Sequence, residues 1–366
     1  MIKEQKIQPI CKRSLDSIGN KRAKLFFLLS GEHESLPVSE LKAILEAEGY
    51  AFKVLENLDQ TLRLEADLKC VEAIKRRAAF TKLCGLELFN CKAEIPQIVK
   101  TLCSVNLNEV LKEKESFAVR IKRVKTHASK VDGMALEGKL GELILGTAEK
   151  TAVNLKKPDK TFIGILTDEK LVFGLKLAEI PPKPFVDRRP GRRPFFHPSA
   201  MQAKLARCMV NLAKPRAGEI VFDPFCGTGS MLIEAALIGC RVLGLDIQRR
   251  MVRGSIKNLA YFNINPEGII VADAKNPPIT RIDCIVTDPP YGKSATTLRR
   301  TTKQIIEEVL ISVQDMLDKG RRVCMAAPKT LNVGRIGTVL GYKHLESHFV
   351  YVHRSLTREI AVFEKV

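Results

Sequence analysis

No stretch of this sequence is apolar for long enough to cross a membrane as a helix. The longest early run, Leu25 to Leu29, is far short of the roughly 18 residues such a helix needs. The amino terminus, MIKEQKIQPICKRSLD, lacks the apolar stretch of a secretory signal, so the cytoplasm is the expected location. No two of the ten cysteines, at 11, 70, 84, 91, 103, 208, 226, 240, 284 and 324, form a C-x-x-C pair. Neither a metal site nor a disulfide framework is expected, and most of these cysteines sit in apolar segments as reduced core thiols. Acids are in short supply too: Lys+Arg 60 stand against Asp+Glu 41, a formal charge of +19.

What is present suits a globular chain. Hydrophobic residues make up 45% and charged residues 28%, which argues against disorder, a collagen-like repeat or a coiled coil. At 366 residues two or three domains are expected. The surplus of base points to a polyanionic partner, since each Lys or Arg that neutralises a phosphate releases a counterion. Charge carried only for solubility is the alternative.

From Ala23 to Asn90 the periodicity predicts strand, helix, strand, strand, helix, strand, the order of a ferredoxin-like α+β module over residues 1–92. A second piece, residues 93–178, carries the strand Phe117 to Val124, a helix around Leu140 to Ala148 and strands Thr161 to Leu166 and Leu171 to Leu177. Between Ser116 and Lys130 lie Arg120, Lys122, Arg123, Lys125 and Lys130 without one acid, a candidate RNA-binding face. Residues 179–198 form a linker, with six of the 18 prolines between 181 and 198, and predict a stiff extended connector. Its Arg188, Arg189, Arg192 and Arg193 are further candidates for the polyanion, while its phenylalanines need something to pack on.

Residues 199–366 alternate helix and strand, which predicts a mostly parallel sheet with helices on both faces. His348 to Val352 and Glu359 to Phe363 read as a terminal antiparallel pair. The strand Ile220 to Phe222 runs into Asp223-Pro224-Phe225-Cys226-Gly227-Thr228-Gly229-Ser230 and then a helix, a glycine turn that lets backbone approach a ligand. Leu232 stands where a dinucleotide fingerprint has its third glycine. Asp246, 17 residues after Gly229, ends the next strand, where a carboxylate can accept ribose hydroxyl hydrogen bonds. Asp273 closes the strand after that, where an adenine amine would lie. Each acid alone could be a helix N-cap, but together they line one crevice at the strands' carboxyl ends.

Thr287-Asp288-Pro289-Pro290-Tyr291-Gly292 ends the fourth strand. Two prolines remove two N–H donors and leave carbonyls and the Asp288 carboxylate as acceptors, which suits an aromatic amine. Tyr291 offers a ring on which a base can stack. After this turn Lys293, Arg299, Arg300 and Lys303 follow without an acid between them and could grip phosphates. His197, in the connector, is either an entrance residue or a packed loop histidine.

In the order glycine loop, Asp246, Asp273, Asp288-Pro-Pro-Tyr, residues 199–366 resemble a class I methyltransferase domain with a Rossmann-like, mostly parallel seven-stranded sheet and an antiparallel terminal strand. Val153-Asn154-Leu155-Lys156-Lys157-Pro158-Asp159, Arg192-Arg193-Pro194-Phe195-Phe196-His197-Pro198 and Lys204-Leu205-Ala206-Arg207 extend the resemblance to THUMP-containing tRNA guanine-N2 methyltransferases, especially the archaeal guanosine-10 enzymes. The resemblance covers nearly the whole chain and is weakest over residues 1–22.

It implies S-adenosylmethionine as cofactor, tRNA as partner and a THUMP domain over residues 93–178. Asp223, Phe225, Cys226, Gly227, Thr228 and Gly229 would then hold the methionine part, Asp246 with Ile247 the ribose, and Asp273 with Ala274 the adenine. Asp288, Pro289, Pro290 and Tyr291 would hold the guanine. Some relatives work with a small zinc-binding activator subunit and others act alone as monomers. The rivals are the related enzyme of tRNA guanosine-6, an adenine-N6 methylase of RNA or DNA, and a noncatalytic tRNA-binding protein of the same fold.

Overall fold

The computed structural model describes residues 22–147, 150–291 and 300–366. The chain opens as β1 (Arg22–Leu29), α1 (Leu36–Ala47), β2 (Phe52–Leu58), β3 (Thr61–Asp67), α2 (Cys70–Arg77) and β4 (Thr81–Lys92), the order read from its periodicity. Then come α3 (Ile95–Cys103), β5 (Ser116–Arg123), α4 (Gly133–Thr147), β6 (Ala152–Val153), β7 (Lys160–Thr167) and β8 (Lys170–Glu179).

These strands form one eight-stranded sheet, β2-β3-β1-β4-β8-β7-β5-β6. The join is the antiparallel β4–β8 pair, from Leu83 opposite Glu179 to Lys92 opposite Lys170. The first compact unit comprises the described part of residues 1–28, residues 50–72 and residues 83–179. The sequence order of elements therefore does not coincide with the compact units.

In this first unit Leu136, Leu140 and Ile144 repeat every four residues along α4, one face of a helix, and join Phe117, Phe162 and Phe173 in a core. The helix starts seven residues before Leu140 because the Asp132 carboxylate accepts the N–H groups of Met134 (2.9 Å) and Ala135 (3.2 Å), a side-chain cap.

The second unit comprises residues 29–49, 73–82 and 180–366. Its later part holds α5 (Lys183–Asp187), α6 (Ala203–Leu212), β9 (Ile220–Asp223), α7 (Ser230–Ala236), β10 (Arg241–Asp246), α8 (Arg249–Tyr261), β11 (Gly268–Val271) and β12 (Cys284–Thr287). After these come α9 (Thr302–Ser312), β13 (Arg322–Pro328), α10 (Val333–Val339), β14 (Tyr342–His353) and β15 (Leu356–Lys365). The sheet order is β11-β10-β9-β12-β13-β15-β14. β9 to β13 run parallel, and β15 inserts antiparallel between β13 and β14. This is the Rossmann-like sheet with the expected antiparallel terminal strand, and α1 packs with this unit through Leu36 and Ala43.

The connector departs from expectation. It is not extended: Lys183–Asp187 make a helical turn and Pro190–Arg192 a 3₁₀ turn. Proline is tolerated in the first turn of a helix, and burial of Phe185 and Pro190 holds both turns down. Two of its arginines turn inward. Arg188 grips the fully buried Glu234 with two hydrogen bonds, of 2.7 and 3.0 Å, and Arg207 reaches the same carboxylate at 2.8 Å. Buried Arg193 donates to Ser230 Oγ at 2.7 Å and to the Arg188 carbonyl at 3.0 Å.

A parallel arrangement surrounds buried Glu40, which accepts the N–H groups of Ala79 (3.0 Å) and Phe80 (2.8 Å) and the Asn211 amide (2.9 Å). Removing one member of such a pair strands the others in a low-dielectric interior. Glu234→Ala is therefore expected to cost about 3 to 5 kcal/mol in urea unfolding. A loss below about 1 kcal/mol would show that Arg188 and Arg207 find other partners.

Candidate active site

β9 ends on Asp223, and the chain turns through Gly227 (φ +51°) and Gly229 (φ +82°) before α7. Both glycines lie in the left-handed region, and a Cβ on Gly229 would come within 2.6 Å of Ser255 Oγ. The turn is tied to its neighbours by Cys226 N–H to the Leu245 carbonyl (2.8 Å) and Gly229 N–H to the Cys226 carbonyl (2.7 Å). Gly227 N–H donates to Asp246 Oδ2 (3.1 Å), and Gln248 N–H to Asp246 Oδ1 (2.8 Å). Asp246 at the end of β10 is thus braced by backbone, while burial raises its pKa.

Asp223 is buried. It accepts the Thr287 hydroxyl at 2.7 Å and Phe225 N–H at 3.1 Å. Burial pushes its carboxyl up to about 7, against the pull of those hydrogen bonds, and the charges of Asp288 and Asp246 push the same way.

Asp288 follows β12, and its pKa is raised, again by burial. Its Oδ1 is buried with no hydrogen-bond partner among the described residues. Its Oδ2 lies 3.4 Å from the guanidinium of Arg358, which comes from β15. Arg358 also donates from Nε to the Tyr291 hydroxyl and sits 5.7 Å from the centre of that ring. Antiparallel insertion of β15 puts Arg358 opposite Pro328, beside the carboxyl ends of β12 and β13, and so brings this cation to the acids.

These groups line one cavity of about 240 Å³, together with His197, Met201, Met251, Ala274, Pro289 and Pro290. Phe225, Cys226, Thr228, Ile247 and Asp273 belong to the same wall. Asp273 carries an ion pair: Arg300 reaches its Oδ2 at 2.9 Å and Glu308 at 2.7 Å. His197 lines the cavity and shares a 2.7 Å hydrogen bond between its Nδ1 and Ser199 Oγ.

The structure thus gathers in one place all the acids and the glycine turn singled out in the sequence. The basic candidates are scattered. Arg120 donates to the Leu155 carbonyl at 2.9 Å, and Arg123 is wrapped by the carbonyls of His127, Ala128 and Val131. Lys122 is exposed, while Lys125 pairs with Asp59 at 2.8 Å. Arg189 and Arg192 are exposed, the latter paired with Asp187 at 2.6 Å. Arg188 and Arg193 are held internally, so neither guanidinium is presented to a phosphate. Arg300 is engaged by acids, Lys303 lies 3.6 Å from Glu307, and Gly292, Lys293 and Arg299 lie outside the described residues.

Arg358 was not singled out in the sequence. It stands 67 residues from Tyr291, and only the pairing of β15 with β13 brings the two together.

Comparison with known proteins assigns the chemistry. Residues 190–358 match the RMKL-like methyltransferase domain family and residues 92–175 the THUMP domain family. The tRNA (guanine(10)-N2)-dimethyltransferase of Methanothermobacter thermautotrophicus is 36% identical over 353 residues, covering 94% of this chain and 100% of the relative. The chain belongs to the tRNA (guanine(10)-N2)-dimethyltransferase family. Two solved structures share the fold of this family member. TrmN from Thermus thermophilus has a TM-score of 0.54 at 19% identity, covering 94% of this chain and 100% of its own. SMU.472, complexed with S-adenosylhomocysteine, has a TM-score of 0.52 at 14% identity, covering 94% and 98%.

The pKa of Asp223 makes a stability prediction. Its folded value of about 7 lies above the ordinary 3.8, so the folded state binds the extra proton between those values. Stability from this group is present below about pH 4 and is lost as pH rises through 7. Asp223→Asn should remove that loss. The thermal midpoint of the unsubstituted protein, measured relative to the variant's, is expected to fall between about pH 4 and pH 7 and to level off above that. Parallel curves would contradict the assignment.

Proposed function

We propose that this chain transfers methyl groups from S-adenosylmethionine to the exocyclic N2 of guanosine 10 in tRNA, making the mono- or dimethylated base. The observation that carries the reading is the Asp288 carboxylate in the cavity lining, beside a Pro-Pro turn that offers no N–H. Family membership chooses guanine N2, since the Asp-Pro-Pro-Tyr turn alone does not distinguish one aromatic amine from another.

The residues present fit the cofactor. The cavity brings together a glycine turn, which permits close backbone approach, and three acids at strand ends. Asp223 with the turn from Phe225 to Gly229 would hold the methionine part, Asp246 with Ile247 the ribose, and Asp273 with Ala274 the adenine. When bound, S-adenosylmethionine supplies an electrophilic methyl group on a positively charged sulfur.

The chain's own contribution is orientation. Asp288 accepts one N–H of the amine through its carboxylate, and the Pro289 carbonyl accepts the other. With both hydrogens held, the nitrogen lone pair is drawn out of conjugation with the ring and turned toward the cavity. Arg358 lies beside Oδ2 of the same carboxylate and donates to the Tyr291 hydroxyl, which fixes the turn. Tyr291 then supports the base, which must leave its stack to reach the cavity. As the new nitrogen–carbon bond forms, the methyl–sulfur bond breaks and S-adenosylhomocysteine leaves; water can take the proton, because the N-methylated cation formed by transfer is strongly acidic. Positioning and electrostatics therefore carry the rate enhancement.

No helix among the described residues is long and apolar enough to cross a membrane, and a tRNA substrate fits a cytoplasmic enzyme.

Asp288→Ala tests the reading. With labelled S-adenosylmethionine and unmodified tRNA, the variant is expected to lose at least about 1,000-fold in turnover while keeping cofactor affinity within about threefold by calorimetry. Near-normal turnover would remove Asp288 from the chemistry and overturn the reading.

A further inference from the structure

The face of α8 turned to solvent carries Arg249, Arg250, Arg253 and Lys257, all exposed. From Arg249 to Asn265 the sequence has no acid. Among the described residues no carboxylate pairs with any of these four cations. Some exposed arginines elsewhere in the same unit are paired, Arg241 with Glu267 by two hydrogen bonds and Arg281 with Asp318 at 2.9 Å, and those without an acid, such as Arg189, Arg216, Arg335 and Arg354, do not form a stripe on one helix. Arg249, Arg253 and Lys257 recur every four residues, so they form one stripe with successive members about 6 Å apart along the axis.

This arrangement works against the helix that carries it. Like charges at i and i+4 repel, and Arg249 and Arg250 occupy the first turn, where cations oppose the helix dipole and no acid is present. Packing does not account for the stripe either, because the opposite face of α8 makes the core contacts, through Met251, Val252, Ser255, Asn258 and Leu259. The connector lies along the helix, with the Phe195 ring filling the space over Gly254 and the Arg250 guanidinium 5.8 Å from the ring centre. The stripe begins at the cavity: Gln248 and Met251 line it, and Arg249 lies between them in sequence.

We propose that the exposed face of α8 is a phosphate track, on which the tRNA backbone next to the target guanosine lies while that base occupies the cavity. The occupant is RNA rather than an acidic protein, because the track opens onto a cavity that takes a base. The proposal rests on the functional reading above and adds a docking surface on the catalytic unit itself.

The test uses the full chain and unmodified tRNA. In the triple variant Arg249→Gln/Arg253→Gln/Lys257→Gln, the slope of log affinity against log salt concentration is expected to fall by about 2 to 3, roughly one per lost phosphate contact. KM for tRNA should rise about tenfold or more at 0.15 M salt. The thermal midpoint should not drop, since repulsion on the helix is relieved, so weakened binding cannot be read as unfolding.

A matched pair separates the track from net charge. Arg253→Glu is expected to raise KM about tenfold. Lys319→Glu, before β13 at the sheet end away from the cavity, should stay within about twofold of the unsubstituted protein. An unchanged salt slope in the triple variant, or equal damage from both reversals, overturns the track while tRNA methylation by the unsubstituted protein keeps the functional reading. If the unsubstituted protein neither binds nor methylates tRNA, both fall.

Discussion

A carboxylate withdrawn from water is costly unless hydrogen bonds or an opposite charge replace its solvation. The methyltransferase unit nevertheless crowds Asp223, Asp246 and Asp288 around one cavity, and burial raises the pKa of each. Much of the local architecture answers that constraint. Thr287 and Phe225 solvate Asp223, the backbone of Gly227 and Gln248 solvates Asp246, and Arg358 stands beside Asp288. One oxygen, Asp288 Oδ1, has no hydrogen-bond partner among the described residues, and the Asp288 carboxylate is where an amine of the substrate binds in the proposed chemistry. A pocket of this composition is complementary to ligands that bring N–H groups and positive charge.

Holding the acids in place takes more than the sheet. The connector is pinned by Arg193 on Ser230, the first residue of α7, and by Arg188 on Glu234 one turn further along. Asn258 on α8 takes the Phe195 N–H and donates to the carbonyls of Phe195 and Thr228, so one side chain joins connector and glycine turn. The cations nearest the cavity are thus structural. Exposed cations without an acid partner lie outside it, the four of α8 among them.

Much of this was legible in the sequence, because strand ends followed by Asp, glycines and prolines are local signals. The element order and the terminal antiparallel pair rest on local patterns, and each acid of the crevice is marked by the strand end it follows. What escaped depends on distant partners. Charge counting assigned Arg188 and Arg193 to RNA, since nothing beside them in the chain announces Glu234 or Ser230, 46 and 37 residues away. Arg358 was invisible for the same reason. The prolines of the connector read as extended chain, although in the first turn of a helix they need no N–H. The helices α3 and α10 are short, and the two glycines of α10 are poor helix formers, so packing rather than propensity makes them. The α8 stripe was not singled out in the sequence, and its exposure and want of ion-pair partners come only from the structure.

In the proposed function this acid-lined cavity methylates the N2 amine of one guanosine in tRNA. Incubating the purified chain with labelled S-adenosylmethionine and unmodified tRNA, then mapping the product by nuclease digestion and mass spectrometry, tests it most directly. Label is expected in N2-methyl- or N2,N2-dimethylguanosine at position 10. Label found only in N6-methyladenosine, or only at guanosine 6, would contradict it.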